Sequence, residues 1–173
     1  MNNIFQTTLK LVFILIIVSI NACSLIDMKV DPYDLKVKYE DDRLEEIFNV
    51  HVNQFVKEAA DRNVTFRNRK VTIKWGNNLA DNIHGQSNTM RVVKINPKST
   101  KLELDYLRRQ LICHELFHAL CQDLRKETHT SKQFIDGSTY YTSLMVSSSG
   151  QSNFPTLEYT ETWEAYFDEL FNE

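Results

Sequence analysis

TKLELDYLRRQLICHELFHALC, residues 100–121, is the stretch whose reading decides the fold. Thr100 followed three residues later by Glu103 is the pattern of a capping box, so a helix is expected to open there. Leu104, Leu107 and Leu111 continue at helical spacing towards His114-Glu115-Leu116-Phe117-His118, an H-E-x-x-H motif. Residues four apart on a helix stand one above the other, so the His114 and His118 imidazoles can meet at one ion. Glu115 lies beside them, where a general base can take a proton from a water activated by that ion without binding it. Zinc is the ion such a set selects: it accepts neutral imidazole, has no redox chemistry and acidifies its water to a pKa of about 7. Bulky Leu116 and Phe117 between the histidines, with Ile112 and Leu120 nearby, point to a buried helix rather than a solvated one.

Upstream, residues 71–75 (VTIKW) alternate and are rich in β-branched side chains, and Gly76-Asn77-Asn78 ends them, which predicts a strand and a turn. A second strand is expected over 90–96, stopped by Pro97, with residues 79–89 between the strands read as a loop near the site. That loop carries His84, read as an exposed histidine with substrate contact as the alternative. Leu44, Ile47, Phe48, His51, Phe55 and Val56 recur at helical spacing behind Asp41 and Asp42, which predicts an amphipathic helix over 41–60 and makes His51 a packed residue. The chain closes on another such pattern over 157–171, where Trp163, Tyr166, Phe167, Leu170 and Phe171 share a face and Thr156 is the expected cap. Glu161, Glu164 and Asp168 fall on the opposite side of that helix.

At 173 residues the chain is read as one domain behind a leader. Twenty basic against 23 acidic side chains leave a formal net charge of −3, and no basic stripe with interleaved aromatics suggests a nucleic-acid surface. The cluster Arg62, Arg67, Arg69 and Lys70 reads as a solvated loop before a strand. Residues 9–20 (LKLVFILIIVSI) form an apolar run too short to cross a bilayer comfortably, as in a secretion signal. Ile20-Asn21-Ala22-Cys23 resembles the lipobox of bacterial lipoproteins, which implies that Cys23 is lipidated and begins the mature chain. The expected organisation is a signal peptide over 1–22, a tether over 23–40 and a domain over 41–173, anchored outside the cytoplasm on the bacterial cell envelope. Cys113 and Cys121 remain as buried thiols, since eight helical residues hold them about 12 Å apart, beyond disulfide reach.

From residue 71 on, the order strand, loop, strand, motif helix, later histidine, Ser143-Leu144-Met145 and the terminal Tyr166-Phe167-Asp168-Glu169-Leu170-Phe171 helix resembles small zinc metallopeptidases of the metzincin type. The resemblance implies His114, His118 and His129 as zinc ligands, Glu115 as base, Met145 in a methionine turn, and a peptide or protein substrate. The longer family signature has a glycine and a third histidine where this chain has Cys121 and Leu124, so His129 would come from a longer excursion. Two alternatives stay open: a gluzincin-like scheme with Glu161 or Glu164 as third ligand, and a non-catalytic envelope lipoprotein holding a structural zinc. The fold expected is α+β, a small twisted sheet packed on the H-E-x-x-H helix, with N-terminal and C-terminal amphipathic helices.

Overall fold

A computed structural model describes residues 30–88, 91–121, 143–145 and 161–171, with the backbone alone at 161 and 162. Its architecture is α+β. Four short strands, β1 (Lys36–Tyr39), β2 (Lys70–Trp75), β3 (Gly85–Asn88) and β4 (Val92–Ile95), form one mixed sheet in the order β1-β2-β4-β3. β1, β2 and β4 run parallel, with Lys36 opposite Lys70 and Thr72 opposite Val92; β3 returns antiparallel to β4, Gly85 facing Ile95. Three helices are described: α1 (Asp42–Asp61), α2 (Asp105–Leu120) and α3 (Glu161–Phe171).

Alternation along the strands builds the core. Val71 and Ile73 of β2 and Val93 and Ile95 of β4 are buried, while Thr72, Lys74 and Lys94 stay partly exposed on the other face. α1 joins β1 to β2, the crossover that two parallel strands require, and buries Leu44, Phe48, Val52 and Phe55. Its Asp41 side chain caps the first turn by accepting from Arg43 N at 2.9 Å. Its far end closes at Asn63, whose φ of 56° lets Val64 N reach back to Ala59 O. α3 inserts its aromatic face between the other helices. Phe171 lies 5.3 Å from Phe55 and 6.3 Å from Phe117, centroid to centroid, and Trp163 stacks under the Arg109 guanidinium at 4.7 Å.

Several sequence expectations change here. The motif helix starts at Asp105, not at residue 100: Ser99 caps a separate 3-10 turn over Thr100–Leu102 by accepting from Lys101 N, and Leu104 is extended with φ −120°. Thr100 and Glu103 therefore form no capping box for α2, and Leu104 is 47 % exposed. Residues 30–40, read as tether, belong to the folded body. Val30 bridges Phe66, Pro32–Asp34 form a 3-10 turn, and β1 edges the sheet. The loop read over 79–89 contains β3, and Arg62 is no solvated loop residue: its guanidinium joins Glu58 at 2.6 Å and Asp168 at 2.7 Å, tying α1 to α3. Cys113 and Cys121 are free and buried, and among the described residues no helix is long and apolar enough to cross a membrane.

Candidate metal centre

α2 is buried on almost every side rather than along one stripe, because the sheet, α1 and α3 surround it. His114 and Glu115 are 7 % and 5 % exposed, and His118, one turn on, is half-buried. The two imidazole centroids stand 4.9 Å apart at 79° to each other, the consequence of i, i+4 spacing on a regular helix.

His114 is oriented from outside its own helix. Its Nδ1 lies 2.8 Å from the carbonyl oxygen of Leu144. A carbonyl only accepts, so Nδ1 carries the hydrogen and the lone pair of the neutral ring is on Nε2. The segment that supplies this carbonyl is itself tied: Met145 N donates to Ser143 Oγ at 3.0 Å, and Ser143, Leu144 and Met145 are all buried. A ring whose second nitrogen is held by a main-chain carbonyl is the usual state of a metal-binding histidine.

Glu115 faces β3. Ser87 donates to its carboxylate from both hydroxyl and backbone N–H, and the buried Lys101 ammonium adds a favourable charge. Burial outweighs all three and pushes the carboxyl up to about 7, which suits it to take and return a proton near neutrality. Gly85 makes the approach possible. A Cβ there would stand 2.8 Å from Glu115 Oε1 and 3.0 Å from its Cγ.

Beyond Glu115 lies a second buried polar pair. Lys101 Nζ donates to Gln110 Oε1 at 2.6 Å, and Gln110 Nε2 donates to the Leu144 carbonyl at 3.4 Å. Burial lowers the Lys101 ammonium to about 8 against the opposing pull of Glu115.

Of the residues expected at the site, α2 sets the His114 and His118 rings side by side and turns Glu115 towards β3, and the fold sets the Ser143–Met145 segment against His114. His129 and Cys23 lie outside the described residues. Glu164 is exposed, its carbonyl turned to Arg62 at 3.5 Å, and Glu161 is described by its backbone alone. Among the described residues no group of three His, Cys, Asp or Glu side chains gathers for a metal. The imidazole pair fits zinc as two of its ligands in donor type and spacing, and His114 does so in its Nδ1–H tautomer as well. His51 is packed as expected, its Nε2 3.0 Å from Asp105 Oδ1, and its pKa is lowered by burial more than that carboxylate raises it. His84 meets Ser99 Oγ through Nδ1 at 2.9 Å.

Sequence reasoning missed Gly85, Ser87, Lys101 and Gln110. Gly85 and Ser87 were legible only as part of the loop read near the site over 79–89, and Gln110 left a trace of its own: it stands four residues before His114 and so shares its helix face. No protein-family model matches the chain, and neither a curated protein nor a solved structure does.

Proposed function

We propose that the chain is a zinc-dependent hydrolase of peptide bonds, of the metzincin kind, in which His114, His118 and His129 hold the metal and Glu115 is the catalytic base. The observation that carries this reading is the contrast within one helical turn: His114 is locked by a carbonyl as the Nδ1–H tautomer, while Glu115 beside it is a buried carboxyl near 7. When bound, zinc supplies a Lewis acid that acidifies water and polarises a carbonyl. Glu115 takes the proton of the attacking water and returns it to the leaving amine nitrogen, while Ser87 holds the carboxylate against β3. Leu144 O keeps the lone pair of His114 on Nε2, and the buried Met145 is the methionine of the proposed turn.

β3 supports a peptide as substrate. It ends the sheet, and among the described residues it pairs with β4 alone, so an extended peptide can add along its outer side next to Glu115. An extracytoplasmic position, with the membrane reached through a lipid on Cys23, completes the proposal. The exposed position of Glu164 favours His129 over it as third ligand.

Zinc content and cleavage of casein or a peptide library, measured on the full chain, test the reading. Glu115→Gln should keep zinc and lose hydrolysis at least about a hundredfold. His129→Ala should lose zinc to a chelator, while Glu161→Ala and Glu164→Ala keep it. Zinc without hydrolysis in the wild type would leave a structural zinc protein instead, and retention of zinc by His129→Ala would remove that ligand.

A further inference from the structure

Lys101 and Gln110 take no step in the proposed chemistry, to which Lys101 only lends a favourable charge at Glu115, yet both are buried, with Lys101 only 6 % exposed. Taking an ammonium and a primary amide out of water is unfavourable unless each finds a hydrogen-bond partner. The two satisfy each other, and their geometry is directional. An ammonium can only donate, so Gln110 must present Oε1 to Lys101, and its Nε2 is thereby aimed at the Leu144 carbonyl. That carbonyl is the one that accepts from His114 Nδ1. Both donors come from the same face of α2, at residues 110 and 114, and both converge on a segment more than 20 residues beyond the helix.

We propose that Lys101 and Gln110 form a positioning relay that pins the Leu144 carbonyl and so sets the tautomer of His114. The inference rests on the zinc reading for its purpose but not for its mechanism. Lys101 fixes the sense of the amide, the amide holds the carbonyl, and the carbonyl holds the hydrogen on Nδ1. The relay runs in series, so its two members act as one unit.

The metal-free full chain tests this directly, because long-range nitrogen–proton correlation spectra report which nitrogen of a neutral imidazole carries the hydrogen. Wild-type His114 should be chiefly Nδ1–H. Gln110→Glu keeps a partner for Lys101 but has no hydrogen for Leu144, so the Nε2–H form should grow, and zinc affinity in chelator competition should fall about 10- to 100-fold. Lys101→Met should shift both readouts in the same direction by less. The double variant Lys101→Met/Gln110→Leu removes both polar partners at little cost to folding, since neither is left buried alone. It should be no worse than Gln110→Leu alone, which separates a series relay from two independent packing roles. An unchanged tautomer with zinc affinity within about twofold in Gln110→Glu and in the double variant would overturn the relay, and so would additive losses. If the wild type takes no zinc, the hydrolase reading falls while the tautomer populations still decide the relay.

Discussion

Gly85→Ala is the smallest change that reaches the centre from the sheet. The new methyl carbon would stand 2.8 Å from Glu115 Oε1, 3.0 Å from its Cγ and 3.0 Å from Leu111 Cδ1, where relaxed contacts between carbons lie at about 3.5–4.0 Å. The carboxylate cannot swing away cheaply, because it is buried and held by Ser87. Overpacking of this kind costs about 1–3 kcal/mol. Gly85 does not need a left-handed backbone, so alanine recovers about 0.4–1 kcal/mol by restricting the unfolded chain. A net loss of about 1–2 kcal/mol follows, together with reduced hydrolysis as the carboxylate is driven off Ser87. Urea unfolding of the metal-free protein measures the loss. The same substitution made in Glu115→Ala escapes both Glu115 contacts and keeps the one to Leu111, so its cost there should shrink below about 1 kcal/mol, and the double-mutant cycle should show coupling of about that size. Equal costs in the two backgrounds, or no cost in the wild type, would mean that β3 does not press on Glu115 as described.

Glu115 also makes metal-free stability depend on pH. Its folded pKa is raised from 4.5 to about 7, so its contribution is fully present below about 4.5 and is lost as pH rises through about 7, a difference of about 3 kcal/mol. Glu115→Gln should flatten that decline, and urea titrations at several pH values that show parallel curves for the two proteins would refute the shift. Burial pushes the Cys113 thiol up to about 12 and that of Cys121 further. In a Cys23→Ser chain, iodoacetamide at pH 8 should therefore label neither until the protein unfolds; rapid native labelling would place a thiol at the surface. Cys23→Ser should also release the protein from the membrane fraction or leave an unprocessed precursor, read by fractionation and mass, and unchanged partitioning and mass would refute the lipid anchor.

What could be read from residues alone was whatever depends on near neighbours along the chain. The i, i+4 spacing of His114 and His118 places both rings on one helix face in any fold that keeps the helix. The aromatic period from Trp163 to Phe171 and the alternation of residues 71–75 likewise carry their own burial pattern. Tertiary structure decided the rest, because the energies involved come from partners distant in sequence. β1 is four residues with two lysines, unremarkable until β2 pairs with it, and α2 starts only at Asp105, without a side-chain cap, because Ser99 caps a separate 3-10 turn over Thr100–Leu102. β3 looks like a polar loop until Val92–Ile95 supplies its hydrogen bonds and Glu115 packs on Gly85. The tautomer of His114 depends on a carbonyl 30 residues away, and the burial of Lys101 depends on an amide that only the folded chain brings to it. A helix period is a property of the sequence, whereas the partner that satisfies a buried polar atom exists only once the chain has folded.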